Sequence, residues 1–342
     1  MDIQKRSTGF GAAIIVLAIL LRLVDAAPTY AQRAEPGAGS IVRLPVSALS
    51  APTVAATVPT TLASAPPTTA APPTTLTQPT LPPVVEPGLL FTAADLDYVN
   101  LRVASDCAYS PDLEGLLQLP LSWDLCSGEP AVLIYHSHAC ECYTKEAGQV
   151  YAELVNCRTT DPEYNMVAVG AQLASMLEAA GITVIQDRQL HDEPSYNNAY
   201  HSSRASVEDY LQQYPSIRLV LDLHRDAATN SDGSRYATAA TVDGEAAAQL
   251  MFVVGTDYTG SYHPNWQENL ALALKMQVLL ERLSPGITRP ITLRGSRFNQ
   301  DMSAGALIIE VGASGNTLSQ ALQAVPVLAQ AIIELQNGAN IP

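Results

Sequence analysis

"NMVAVGAQLASMLEAAGITVIQD", residues 165–187, is the stretch that decides the fold class. Its first part places apolar residues at helical spacing and ends on Gly181, a residue suited to the left-handed backbone at a helix C-terminus. Its second part, "ITVIQD" (182–187), is a short apolar run rich in β-branched residues, which reads as a strand. The same alternation continues on both sides. "AVLIYHSH" (131–138) is a strand signal upstream. Downstream, "NNAYHSSRASVEDYLQQY" (197–214) reads as a helix stopped by Pro215, and "IRLVLDLH" (217–224) and "QLMFVVG" (249–255) read as strands. "PNWQENLALALKMQVLLERL" (264–283) is a long amphipathic helix with Pro264 near its start. "ALIIEVG" (306–312) is a further strand, and "TLSQALQAVPVLAQAIIEL" (317–335) is a last helix with an expected kink at Pro326. Strands alternating with helices predict an α/β fold, with a mixed, mostly parallel central sheet flanked by helices. In such folds ligands sit at the carboxyl ends of strands.

The chain around this core is organised differently. Residues 46–88 are dominated by Pro, Thr and Ala and carry almost no charge. Such a segment favours extended polyproline backbone and cannot bury a core. Near the N-terminus, Lys5 and Arg6 precede an apolar run at residues 10–21, followed by Arg22 and small residues. That pattern fits a secretory signal, and the run is short for a membrane span of about 20 apolar residues. The organisation expected is a signal or membrane anchor at 1–30, a stalk at 31–88 and a globular catalytic domain at 89–342. Cleaved signal and retained anchor both fit.

Of the 342 residues, 47% are hydrophobic, enough for a sizeable core, and the net charge is -15, which repels a polyanion and argues against nucleic acid as a partner. Five cysteines are an odd number. In an exported protein some are expected to pair, and Cys107 with Cys126, flanking one short acidic segment, is the pair suggested by position. Cys140 and Cys142 are too close in sequence for an easy mutual disulfide. No C-x-x-C, H-E-x-x-H, G-x-S-x-G or P-loop pattern is present.

Three apolar strands run into metal-capable residues: His136-Ser137-His138 through Glu141, Asp222-Leu223-His224-Arg225-Asp226, and Ile309-Glu310-Val311-Gly312. Were these strands sheet neighbours, their ends would gather His138, Glu141, His224 and Glu310. Two histidines and a glutamate are a common catalytic zinc set, which leaves one position open for water. A carboxylate outside the ligand set then acts as base, and Glu310 is the candidate, because a carboxylate inside an apolar strand is costly unless paired or functional. Spacing leaves open whether His136 or His138 is the ligand, since residues two apart on a strand share a face. H-x-x-E alone is a weak signal. Asp222 is a candidate partner that orients a histidine.

The ordered set "LIYHSHACECY", "HDEPSYNNAY", "YPSIRLVLDLHRDA", "MFVVGTD", "HPNWQENLALA" and "RFNQDMSAGALIIEVGASGNTLSQA", together with residues 164–187, resembles the stage II sporulation protein P family over residues 128 to 335. The resemblance implies a membrane-associated peptidoglycan hydrolase of an endospore-forming bacterium, acting in engulfment. It implies a fold like the zinc-dependent N-acetylmuramoyl-L-alanine amidases and the zinc carboxypeptidases, amidase activity, and a peptide-crosslink endopeptidase activity. It also implies a bound zinc ion (Zn2+), a lytic transglycosylase partner, and a catalytic domain on the wall side of the cell membrane. By motif, His138 and Glu141 match the family's first His and Glu, His224 matches the His of its D-L-H-R-D block, and Glu310 matches the late Glu that acts as base. The sequence departs from the family at Cys140 and Cys142, where Thr and Ser are usual, and in the length of its stalk.

Further expectations attach to single residues. Arg225 is expected to stabilise a developing oxyanion, with Asp226 as the alternative base should Glu310 prove structural. Arg297 and Asn299 are candidates for binding the substrate peptide, with a structural ion pair as the competing role. Tyr196, Asn197 and Trp266 are groove candidates for which packing is the simpler reading. Two other functions use the same residues: an inactive wall-binding scaffold, and a zinc carboxypeptidase that trims stem peptides.

Overall fold

The computed structural model describes residues 91–121 and 123–339. The expected signal or anchor and the expected stalk lie outside the described residues. The strands are β1 (Leu101–Val103), β2 (Val132–Tyr135), β3 (Val184–Gln186), β4 (Leu219–Asp226), β5 (Ala240–Val242), β6 (Glu245–Ala247), β7 (Leu250–Val254), β8 (Ile291–Leu293) and β9 (Ala306–Ala313). The helices are α1 (Leu113–Leu117), α2 (Met166–Ala179), α3 (Ala199–Gln213), α4 (Trp266–Leu283) and α5 (Leu318–Ala339). A seven-stranded sheet has the order β1-β8-β7-β9-β4-β2-β3. Every neighbouring pair is parallel except β7 with β9. The sheet is therefore mixed and mostly parallel, as the alternation of strands and helices predicts.

Local chemistry accounts for these elements. The Asn165 side chain accepts from the Val167 N–H and caps α2, while Gly181, with φ of 84°, turns the chain into β3. Asp243 and Gly244, both at positive φ, make the tight connection between β5 and β6. Pro326 sits inside α5, as anticipated.

The two faces of the sheet are covered unequally. Leu221 and Leu223 of β4, with Leu307, Ile309 and Val311 of β9, join the main core with α2, α4 and α5. Val220 and Ala306 join a much smaller cluster with Leu133 and Tyr135 of β2 and Val207 of α3. Side chains alternate along a strand, so Asp222, His224 and Glu310 share this second, thinly covered face. A carboxylate can stand in an apolar strand here because its side of the sheet is not sealed under three helices.

Helix α4 differs from the amphipathic reading. Residues Asn269 through Leu280 are all buried, because α4 lies between the sheet, α1 and α5. Its polar residues are satisfied internally. Lys275 Nζ donates to the carbonyls of Leu116 and Leu117 at the end of α1, and burial lowers its pKa to about 8. Helix α5 is long and apolar enough to cross a bilayer, yet Ala324, Val325, Leu328 and Ile332 are buried in the core against α2 and α4.

Candidate metal centre

Strands β2, β4 and β9 are consecutive neighbours. Tyr135 pairs with Asp222, and His224 pairs with Glu310. Parallel registration of β4 with β9 thus sets His224 and Glu310 side by side on the thinly covered face. The chain leaving β2 turns at residues 136–140 and brings His138 and Glu141 back over the same strand ends. The Glu141 N–H donates to the His138 carbonyl at 3.2 Å, closing that turn. Asp192, buried, accepts from the Cys140 N–H through both carboxylate oxygens at 3.2 and 3.3 Å, and is itself held by Arg158 at 3.0 Å.

His138, Glu141 and His224 are all buried, and one ligand atom from each lies within 4.8 Å of the other two. Glu141 Oε2 is 3.4 Å from His224 Nδ1. Tetrahedral zinc with ligand bonds near 2 Å sets its ligand atoms about 3.3 Å apart, so Glu141 and His224 already stand at that spacing, while the group as a whole, within 4.8 Å, would draw together around an ion. The donor atoms are also correctly turned. His224 Nε2 lies 2.9 Å from Asp222 Oδ1 and 2.8 Å from Ser137 Oγ. With Nε2–H donating to Asp222, Nδ1 faces Glu141 and the site, and its lone pair is free for a metal once the ring gives up its second proton. The Ser137 N–H in turn donates to Asp222 at 2.8 Å.

Electrostatics agree that the centre favours a cation. Burial opposes a charged His224, but Asp222 and Glu141 overcome it and raise its pKa well above the ordinary value. Burial pushes Glu141 upward, but Arg225, His224 and His138 bring its pKa down to about 2. For Asp222 too, burial is outweighed, by His224 and by the Ser137 hydrogen bonds, and its pKa is lowered. His138 shows the opposite balance: burial, and then His224, lower its pKa and keep the ring neutral.

Glu310 stands apart from this network. Its Oε2 is buried with no hydrogen-bond partner. Burial, opposed by His224 and reinforced by Glu141 and Asp226, raises its pKa to about 8. In the metal-free chain it is a carboxyl group that keeps its proton up to about pH 8, beside a group of residues that could hold a metal ion.

The other expected residues divide clearly. His136 is fully buried outside the group; its Nδ1 donates to the Leu223 carbonyl at 3.2 Å, and its Nε2 accepts from Gln186 at 3.3 Å. Burial lowers its pKa to about 4. Gly170 of α2 makes room for this ring, since a Cβ there would lie 2.7 Å from His136 Nε2. Arg225 is buried with Nε on the Cys142 carbonyl at 3.0 Å and Nη2 on the Asn156 and Cys157 carbonyls at 2.9 Å. Its N–H donates to Glu141 Oε2 at 3.2 Å, and Nη1 lies 3.8 Å from Glu141 Oε1. The guanidinium therefore points into the 142–157 loop and at Glu141, not into open space above the strand ends. Asp226 pairs with Arg289 at 2.7 Å. Arg297 pairs with Asp301 at 3.5 Å, and Asn299 donates to the Tyr200 carbonyl at 2.8 Å. Trp266 stacks on Tyr109 with ring centroids 4.9 Å apart.

Tyr196 does meet the centre. Its half-exposed ring stacks on His138 at 4.3 Å, and Tyr200 meets the same imidazole edge-on at 5.4 Å. Sequence reasoning assigned no role to Ser137, Asp192 or Tyr200. Asp192 lies inside the quoted "HDEPSYNNAY" block, but nothing in its spacing shows that it accepts from a backbone N–H fifty-odd residues upstream.

Fold and site together define an α/β protein with a buried His–Glu–His group able to hold a metal ion, beside an unpartnered carboxyl group. The chain belongs to the stage II sporulation protein P family, whose pattern matches residues 99–333. It is 28% identical over 221 residues to the stage II sporulation protein P of Bacillus subtilis (strain 168), covering 60% of this chain and 50% of that protein. The chain thus spans about half the length of that relative. Among solved structures it is distantly similar to the CwlD amidase of Clostridioides difficile, solved in complex with the GerS lipoprotein (TM-score 0.37, 13% identity, 60% of this chain and 97% of that chain). It is similarly distant from the N-acetylmuramoyl-L-alanine amidase AmiC2 of Nostoc punctiforme (TM-score 0.35, 13% identity, 60% of this chain and 96% of that chain).

Proposed function

We propose that this chain is a zinc-dependent peptidoglycan hydrolase that cleaves the amide between N-acetylmuramic acid and L-alanine during sporulation. The observation that carries the reading is the pairing of His224 with Glu310 across β4 and β9, which brings a buried carboxyl next to a group of residues that could hold a metal ion. Family membership supplies the class of substrate. His138, Glu141 and His224 would hold the zinc ion, which when bound supplies Lewis acidity to a water molecule and to the scissile carbonyl. Glu310 takes a proton from the attacking water and returns it to the departing amine. Asp222 and Ser137 hold the His224 ring in the tautomer that presents Nδ1. Arg225 is a positioning residue in this scheme: it fixes Glu141 through its N–H and Nη1, in place of the oxyanion role suggested by its neighbour in sequence. Tyr196, stacked on His138 and half-exposed, borders the approach to the centre.

The proposed location is the extracytoplasmic side of the cell membrane, with residues 1–30 as signal or anchor and 31–88 as the stalk that carries the domain at 89–342 outward. A lytic transglycosylase that opens the glycan strand is the partner this reading calls for. The test is mass spectrometry of fragments released from purified sacculi by the full chain. New amino termini on L-alanine, paired with intact muramic acid, are expected. Products shortened only at the free ends of stem peptides would make the chain a carboxypeptidase. Binding without any new fragment, by a protein shown to contain zinc, would make it a scaffold.

A further inference from the structure

The five described cysteines are all free thiols, and the expected pair is not one the fold brings together: Cys107 is buried with its sulfur 3.9 Å from Thr256 Oγ1, while Cys126 is exposed. A different pair is brought together. Glu141 bridges Arg158 in antiparallel sense, and the Thr159 N–H donates to the Cys140 carbonyl at 2.7 Å. That register sets Cys142 directly opposite Cys157, with the Cys142 N–H on the Cys157 carbonyl at 3.0 Å. Their sulfurs lie 3.7 Å apart, and the Cys157 thiol donates to the Cys142 carbonyl at 3.1 Å. Opposed residues of an antiparallel pair have Cα atoms about 4.5–5.5 Å apart, inside the span of about 4.4–6.8 Å that a disulfide bridges. A bond requires the sulfurs to close from 3.7 Å to about 2.05 Å.

We propose that Cys142 and Cys157 form a disulfide that clamps the loop carrying Glu141. The carbonyls of both cysteines accept from the Arg225 guanidinium, and Arg225 in turn holds Glu141. The bond therefore joins the two segments between which Arg225 is seated. It stands on the thiol geometry alone and does not depend on the hydrolase reading. The electrons go to a co-reactant disulfide, of protein or of glutathione type. One cysteine thiolate attacks a sulfur of that disulfide and expels a thiol, giving a mixed disulfide. The second cysteine attacks the mixed disulfide, releases the second thiol and closes the bond. Two protons and two electrons leave the cysteines, and the co-reactant is reduced to two thiols. Cys142 and Cys157 are both buried, so exchange takes place before the loop has packed, and the finished bond is shielded from reductant.

The experiment uses the full chain refolded from urea in the presence of oxidised glutathione. The product is denatured, alkylated without reductant, digested and mapped by mass. The expected result is one peptide pair joined through Cys142 and Cys157, lighter than its two thiol peptides by two hydrogen atoms, with Cys107, Cys126 and Cys140 alkylated. Recovery of Cys142 and Cys157 both alkylated, or each joined to another cysteine, would overturn the proposal. In Cys142→Ser, Cys157 is expected to be recovered alkylated or as a glutathione adduct; a protein disulfide from Cys157 to Cys140 in that variant would count against a specific pair. The wild-type map decides the matter by itself if the variant fails to fold. Adding dithiothreitol to the oxidised native protein should leave the bond intact until urea is added, and rapid native reduction would refute the shielded geometry.

Discussion

Replacing Glu310 by Gln tests the centre in two independent ways. Gln keeps the shape of the side chain but cannot take a proton, so loss of a general base should lower the rate of wall cleavage by about 10²–10⁴-fold while zinc content is retained. The second consequence concerns the metal-free fold. Burial raises the Glu310 pKa from 4.5 to about 8, so the folded chain binds a proton there that the unfolded chain releases across that interval. The stabilising contribution of the protonated carboxyl is complete below the unfolded value and is lost as pH rises through about 8. A tenfold difference in proton affinity between the folded and unfolded chains is worth about 1.4 kcal/mol, which at pH 7 gives a penalty of at most about 3 kcal/mol. Gln carries no such penalty. The assay is urea denaturation of chelator-treated wild type and Glu310→Gln at about pH 5 and about pH 8. The variant should gain on the wild type as pH rises. A stability difference that stays flat across that window would refute the account of Glu310 as an unpartnered buried carboxyl. A near-normal cleavage rate with zinc in place would refute its role as base.

The two histidines leaving β2 should separate cleanly. His138→Ala should abolish zinc binding measured by elemental analysis, whereas His136→Ala should keep zinc and cost about 1–3 kcal/mol of stability by leaving buried groups unpaired. Asp222→Asn should lower zinc affinity by about 10–100-fold, read by competition with a chelating dye, because the hold on the His224 tautomer is lost. Gly170→Ala should destabilise the fold by about 1–3 kcal/mol in a denaturant melt, since the new Cβ would lie 2.7 Å from the His136 ring. An unchanged melt there would mean that α2 can shift freely away from β2.

Much of the fold was legible because its long elements are strongly periodic. The strands β4, β7 and β9 and the helices α2 to α5 were all signalled by apolar pattern and by Gly181, Pro215 or Pro264 at their ends. The three-residue strands β1 and β8 were not, since neither lies within a longer apolar run as β3 does at 182–187, and the Asp243-Gly244 turn was passed over between strands equally short. Charge in α4 misled for a physical reason: Lys275 is buried because the end of α1 offers it two carbonyls, and that partner is far away in the sequence. At the site, the apolar setting of Glu310 and the spacing of His138 with Glu141 drew notice. Pattern cannot choose between His136 and His138, because the choice depends on a turn after Tyr135 that ends the alternation. The direction of the Arg225 side chain is not readable from its neighbour alone, since the carbonyls that receive it belong to a loop distant in sequence.

The joining of β4 to β9 also governs when the centre exists. Between these two strands the chain must lay down β5 to β8 and α4, so His224 and Glu310 meet only through a contact of long sequence range. Such pairings close slowly and late in folding, because the entropy of a large loop is lost before the contact forms. A chain in which β4 and β9 have not yet joined carries His138, Glu141 and His224 without the Glu310 carboxyl beside them. The full set of four residues is in place only once β4 and β9 are joined.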